Sequence, residues 1–183
     1  MFNLIVNISP AQKVFLAGVR SAMEQYFGDD QRRVDHALQV CLHAEELLAY
    51  IDADPVVTLA AAYLHDIGIH EAERKHGSNS GRWQEIEGPP VATEILARLN
   101  ADAALVDQVV EIVGNHHTSG AVDSPEFRII WDADALVNFA NISTLKTEVQ
   151  IEDILLGHMV TEPGLRMARK LFLKGCQSWP EVL

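Results

Sequence analysis

The sequence has little cysteine, and the shortage argues against a disulfide-stabilised protein. Cys41 and Cys176 are its two cysteines among 183 residues, and they lie far apart, outside any metal-binding spacing. Cys41 falls on an apolar helical stripe, where a reduced and buried thiol is the ordinary state. Because reduced thiols are typical of the cytosol, we expect a cytoplasmic protein.

Basic residues are also scarce relative to acidic ones. The 14 Lys and Arg against 26 Asp and Glu give a formal net charge of -12. A surface of this sign repels the backbone of nucleic acids and anionic membranes, so we expect neither as a partner. An anionic substrate would need local cations, or a bound metal ion, to overcome this field.

Long apolar runs are absent from the sequence. No segment approaches the roughly 20 residues needed to span a bilayer, and the opening segment MFNLIVNI lacks the basic start of a signal peptide. Hydrophobic residues make up 48% and charged residues 22% of the chain, an ordinary globular composition. We expect a soluble, intracellular protein with one domain over residues 1–183.

Strand-like alternation is missing too, and the apolar periodicity is helical throughout. Ser9-Pro10, Asp54-Pro55 and Ser124-Pro125 each place a capping residue before a proline, which favours a helix start. We predict an all-α bundle with helices over 10–28, 30–51, 55–68, from 89, over 104–117, from 125, over about 151–160 and from 163 to Gly175. Residues 70–88 are polar and contain glycine, so we predict a functional loop or lid there.

Polar residues of the metal-ligand type interrupt these apolar helices. A single buried histidine is more often a satisfied core residue than a ligand. Several His and Asp residues in such places indicate instead that they converge on a divalent cation, which supplies the counter-charge that they lack. The residues concerned are His36, His65, Asp66, His116, His117, Asp132 and Asp134.

The order of these residues resembles a known family over roughly residues 30–140. The order is His36, then His65-Asp66 within LHDIG, then a late aspartate. This order is similar to that of the HD superfamily of metal-dependent phosphohydrolases. The resemblance implies an all-α HD-type bundle that binds one or two divalent ions per chain, of Mn, Mg, Fe, Zn or Co. It also implies hydrolysis of a small phosphate ester, such as a nucleotide, with Asp66 as a catalytic residue and metal-activated water as the nucleophile.

The late aspartate lies in DADAL, which offers two candidates. Asp132 and Asp134 point about 200° apart on a helix, so one of them is expected to ligate the ion. The resemblance implies Asp134, because an apolar residue follows it directly. Asp132 is then either a partner of the ligands or an exposed helix residue.

A second metal is a further implication of the resemblance. Some HD proteins hold two ions bridged by the Asp of the His-Asp pair, which is Asp66 here. The HHTSG segment would contribute His116 or His117, and Glu87 in EGPPVA stands where another histidine is expected. A carboxylate there favours manganese or magnesium over iron. Glu87 has a simpler alternative as an acidic residue in the first turn of the helix from Pro89.

The basic segment ERKHGSNSGRW supplies candidate substrate ligands. Lys75 and Arg82 would clamp a phosphate beside the metal, unless this segment is simply a solvated charged loop. His70, four residues after Asp66, is a candidate proton donor or phosphate contact.

Two other functions stay open at this stage. A few HD proteins are di-iron oxygenases, but these need a full ligand set, and Glu87 in place of histidine argues against one. A binding or sensory module without activity is the other alternative, against which the intact His36, His65, Asp66 and Asp134 argue. The expected partner is a small phosphorylated substrate, and the sequence leaves open whether the chain forms a homodimer.

Overall fold

The computed structural model describes residues 8–173, and every regular element in this range is a helix. The prediction of an all-α fold is confirmed. The predicted end of the last helix at Gly175, and Cys176, lie outside the described residues. The helices are α1 (Pro10–Phe27), α2 (Gln31–Leu47), α3 (Pro55–Leu64), α4 (Ile69–His76), α5 (Gly81–Arg98), α6 (Ala103–Val113), α7 (Pro125–Asn138), α8 (Ile142–Leu145), α9 (Glu148–His158) and α10 (Glu162–Phe172).

Capping side chains begin three of these helices where the sequence predicts. Ser9 accepts a hydrogen bond from the Gln12 backbone N–H and forms a capping box at α1. Asp54 accepts from the first N–H groups of α3, and Ser124 caps α7 in the same way. Each cap satisfies backbone donors that the first helical turn leaves unpaired.

The predicted loop over residues 70–88 is wrong. The chain forms α4 there and then most of the first half of α5, so that Pro89 and Pro90 lie inside α5 rather than at its start. The polar side chains of α4 are largely exposed, and Ile69 and Ala72 are its two buried residues. A helix of eight residues with two core positions has too little apolar periodicity to be recognised in the sequence.

The central helix is α3, whose sequence is apolar nearly all round. It packs against α1, α2, α6 and α7, and a helix surrounded on all sides has no polar face. It ends at Leu64, earlier than the predicted end at Gly68. His65 and Asp66 therefore follow directly from the centre of the bundle.

The turn between α3 and α4 lies unusually close to α5. A Cβ atom on Gly68 would lie 2.5 Å from the Gln84 carbonyl oxygen and 2.6 Å from the Gly88 backbone nitrogen. No larger residue fits this contact without a shift of the backbone. The glycine thus lets α5 approach the His65-Asp66 turn.

Candidate metal centre

Four side chains from three parts of the bundle converge at the end of α3. The His36 Nε2 atom, from the middle of α2, lies 3.2 Å from His65 Nε2. The Oδ1 atom of Asp134, on α7, lies 3.0 Å from His36 Nε2 and 3.7 Å from His65 Nε2. Asp66 Oδ2 lies 3.5 Å and 3.7 Å from the same two nitrogens. The structure therefore brings together the four residues that the sequence assigns to the first ion.

The orientation of the buried His65 ring is fixed by the backbone. Its Nδ1 atom lies 2.9 Å from the Ala62 carbonyl oxygen. A carbonyl can only accept a hydrogen bond, so Nδ1 carries a proton and donates it. In the neutral ring the lone pair is then on Nε2, which faces His36 and the two carboxylates. This is the arrangement of a histidine ligand whose second nitrogen is anchored.

Electrostatics at this point favour positive charge. Burial works to raise the pKa of Asp66, but His65 and His116 outweigh it and hold that pKa well below its ordinary value. Burial would also raise the pKa of Asp134, but His36 and His65 outweigh it and keep that pKa low. Burial would lower the pKa of His65, but Asp66 and Asp134 raise it to about 9. Two ionised carboxylates held this way are suited to a cation.

His116 supplies an unpartnered nitrogen on the other side of Asp66. Its Nδ1 atom lies 2.8 Å from the Val113 carbonyl oxygen, so that nitrogen donates and, in the neutral ring, Nε2 carries the lone pair. The Nε2 atom is buried without a hydrogen-bond partner among the described residues and lies 3.4 Å from Asp66 Oδ1. A buried acceptor of this kind is costly unless a cation or donor meets it.

The two sets of ligands share Asp66. His36, His65 and Asp66 form one group in which ligand atoms lie within 4.8 Å of one another, and Asp66, His116 and His117 form another. One carboxylate oxygen of Asp66 faces each group. The residues present therefore fit a divalent metal ion, and Asp66 is placed to contact both positions.

Asp132 has a different role from Asp134. It is fully buried and accepts hydrogen bonds from the Val160 and Thr161 backbone N–H groups at 2.8 Å and 2.9 Å. The Thr161 hydroxyl donates to it as well. Asp132 thus ties α7 to the start of α10, and the expectation of an exposed helix residue is wrong.

Glu87 is engaged with the basic side chains of α4. Its Oε2 atom lies 2.5 Å from Lys75 Nζ, and its Oε1 atom lies 2.8 Å from His76 Nε2. The structure places it in neither group of metal ligands. Its role as a ligand of a second metal stays a prediction.

The other predicted substrate residues lie apart from the two groups. Arg82 is exposed, with its guanidinium carbon 5.0 Å from the centre of the Trp83 ring. His70 lies against the rings of Tyr26 and Phe27, and its Nε2 atom is 3.2 Å from Asp30 Oδ2. The structure does not bring either side chain into contact with the histidine–aspartate cluster.

Sequence reasoning missed the residues of α5 that hold His117. A Cβ atom on Gly81 would lie 2.7 Å from the His117 ring. Glu85 accepts hydrogen bonds from the His117 backbone N–H and the Thr118 hydroxyl. Gln84 Oε1 lies 3.2 Å from His117 Nε2. These contacts join residues more than thirty positions apart in the chain, so they cannot be predicted from neighbouring residues.

A further cation missed in the sequence is Arg33. It precedes His36 by three residues on α2, a spacing that puts two side chains on the same helix face. Its side chain is 18% exposed, and its ion pairs with Asp30 and Glu73 are long, at 4.0 Å and 3.9 Å.

Comparison with known proteins identifies relatives of this bundle. The profile of the HD domain family matches residues 33–138, a range that contains all of the His and Asp residues of the two groups. No curated protein matches the sequence. A solved structure, that of a predicted HD superfamily hydrolase from an uncultured Thermotogales bacterium, is similar with a TM-score of 0.59 and 25% sequence identity. The similarity covers 87% of this chain and 84% of that one.

Proposed function

The chain belongs to the HD domain family, and we propose that it is a metal-dependent hydrolase of small phosphate esters, with nucleotides as the first class to test. The observation that carries the proposal is the convergence of His36, His65, Asp66 and Asp134 on one point. The similar solved structure is described as a predicted hydrolase of the HD superfamily, which supports the reaction class.

The donor set agrees with a transition-metal ion. Imidazole nitrogens suit ions such as Fe and Zn, and carboxylates suit Mn, whereas Mg prefers oxygen ligands and keeps several water molecules. Such an ion, when bound, acts as a Lewis acid toward a phosphoryl oxygen and lowers the pKa of a water molecule. His36, His65, Asp66 and Asp134 would hold it.

Arg33 and Lys75 are the two cations that we propose bind the phosphate of a substrate. Arg33 lies one helical turn from His36, and its long ion pairs leave its guanidinium able to form the shorter, paired hydrogen bonds that a phosphate offers. Lys75 lies on α4 and contacts Glu87 and Glu71. In a chain of net charge -12, these local cations would offset the repulsion of an anionic substrate.

His70 is proposed as the group that protonates the leaving oxygen. Asp30 Oδ2 accepts a hydrogen bond from its Nε2 atom, which orients the ring. The pKa of Asp30 is lowered mainly by His70, so Asp30 is ionised when it contacts the ring. The other ring nitrogen, Nδ1, would be the atom that passes a proton to the leaving oxygen.

A phosphate-release screen tests this function. Protein stripped of metal and reloaded with Mn²⁺ would be assayed against nucleoside mono-, di- and triphosphates and simple phosphomonoesters. We expect metal-dependent release with at least one class, and loss of that activity in Asp134→Asn. Asp153→Asn, on the exposed face of α9, is the matched control. Absence of release from every ester, or full activity in Asp134→Asn, would contradict the proposal.

A further inference from the structure

Exposed apolar side chains are concentrated around α9. Elsewhere in the described chain, large exposed hydrophobic residues occur singly on three different helices, as Val14, Leu42 and Ile86. Isolated residues of this kind are normal on a protein surface. A concentration of them indicates a surface that a partner covers. Those around α9 and its neighbour α10 are Leu145, Val149, Leu156, Val160 and Leu171.

Two of these residues define an outer face of α9. Val149 and Leu156 are seven residues apart, which is about two helical turns, so their side chains project from the same face. They are 73% and 55% exposed. The inner side of the helix packs into the core through the buried Ile151 and Leu155. The outer face is therefore apolar although the core does not use it.

The exposed residues are arranged symmetrically about the middle of α9. Leu145 precedes Val149 by four residues, and Val160 follows Leu156 by four. Their order is thus the same when it is read from either end. A two-fold dimer requires a self-complementary surface, because the same patch of both copies forms the interface. Two antiparallel copies of α9 would bring Val149 of each against Leu156 of the other.

The charge of this region also suits a second copy of the chain. Residues 145–172 contain four basic and four acidic residues, so the net charge of -12 lies entirely on the rest of the chain. Two copies therefore repel each other least through this region. In the middle of the face, Glu152 is already paired with Arg169. Asp153 of one copy would then face an ion pair of the other rather than a bare carboxylate.

We propose that the outer face of α9 packs antiparallel against the same face of a second copy, with Val149 and Leu156 at the centre of a homodimer interface. Leu171 on α10, which packs against α9, would extend the interface. A helix of 11 residues is about 16 Å long, so the contact is small beside a standard interface of about 800 Å² per partner. We therefore expect a dimer that dissociates at micromolar concentrations. The inference is independent of the metal centre and of the reaction.

Sedimentation-velocity centrifugation of the full chain, over a range of micromolar concentrations, tests the proposal. Val149→Asp and Leu156→Asp each place a charge in the centre of the proposed interface. Val14→Asp and Leu42→Asp are matched controls, because they make the same changes at positions that are 75% and 61% exposed on other helices. Circular-dichroism melting curves of dilute samples check that all variants are folded, which we expect because the four positions are exposed.

We expect wild type and both controls to change from monomer to twice that mass as the concentration rises. Val149→Asp and Leu156→Asp should raise the dissociation constant about tenfold or more, because each buries a charge without a partner. A wild type that stays monomeric at every concentration would overturn the inference, and would leave this face to residues 174–183 or to another protein. Dimerisation of both folded α9 variants with the wild-type dissociation constant would overturn it as well.

Discussion

His36 Nε2 and His65 Nε2 lie 3.2 Å apart in the middle of the bundle. Because His65 donates its Nδ1 proton to the Ala62 carbonyl, the neutral form of its ring has a lone pair on the nitrogen that faces His36. Two such lone pairs would repel each other, so a proton or a metal cation must lie between the rings. The centre therefore binds a proton and a metal in competition.

This competition predicts a pH dependence for the metal-free protein. His65 has a pKa of about 9 instead of its ordinary 6.5, and a raised pKa in the folded state stabilises the fold at low pH. The contribution of protonated His65 to the free energy of unfolding is fully present below pH 6.5 and is lost as the pH rises toward 9. We expect the melting temperature of the metal-free protein to fall across this window.

The affinity for Mn²⁺ should rise as the pH rises from 6.5 to 9, because the metal displaces the His65 proton. Calorimetric titrations between pH 6.5 and 9 measure this affinity directly. An Mn²⁺ affinity that stays constant over these pH values would show that no proton is displaced at the centre. Measurements in buffers of different ionisation enthalpy count the protons released.

The two aspartates of α7 should separate into a metal ligand and a structural residue. Asp134→Asn should bind Mn²⁺ about tenfold or more weakly. Without metal it should melt below the wild type only at pH values where His65 is protonated, because Asp134 stabilises that form. Asp132→Asn should keep its metal but lose roughly 2–4 kcal/mol of unfolding free energy, since buried donors at the start of α10 lose their acceptor. Denaturant titration and metal analysis of both variants provide the test. Loss of metal in Asp132→Asn at unchanged stability would reverse the assignment.

Gly81 should be intolerant of a larger side chain. A Cβ atom at this position would lie 2.7 Å from the His117 ring, so Gly81→Ala should cost about 1–3 kcal/mol of stability or displace the ring. Gly157→Ala is a matched control, because nothing lies within 4 Å of its added Cβ. That helical glycine should gain up to about 1 kcal/mol on replacement. Equal effects of the two variants in thermal unfolding would contradict the packing of His117 on α5.

The cations around the centre should differ in their effect on substrate binding. Arg33→Gln and Lys75→Gln should each raise KM about tenfold, which corresponds to ~1.4 kcal/mol of binding free energy. Arg82→Gln should have a smaller effect, since this side chain is exposed and lies over Trp83. Steady-state kinetics on the substrate found in the phosphate screen give these values. An unchanged KM in both Arg33→Gln and Lys75→Gln would remove them from the substrate site.

The sequence predicted those features that depend on neighbouring residues. Three helix starts could be predicted from their capping residues, because capping is a contact within one helical turn. These residues are Ser9, Asp54 and Ser124. The apolar character of α3 indicated its central place, and with it the burial of His65. Both follow from local chemistry and periodicity.

Features set by contacts between distant helices were beyond the sequence. Pro89 and Pro90 suggested a helix start, whereas packing of α5 against Gly68 continues that helix through them. The spacing of Asp132 and Asp134 showed that they face different ways, but only the position of α2 shows which one meets His36. Gln84 is thirty-three residues from His117 in the chain, so the contact between their side chains depends entirely on the fold.

The most direct test of the account is a crystal structure of the Mn²⁺-loaded protein with anomalous scattering data collected for manganese. The account predicts a peak about 2.0–2.3 Å from His36 Nε2 and His65 Nε2, with oxygens of Asp66 and Asp134 completing the ligand set. A direct hydrogen bond retained between the two histidines at saturating Mn²⁺, with no peak beside them, would contradict it.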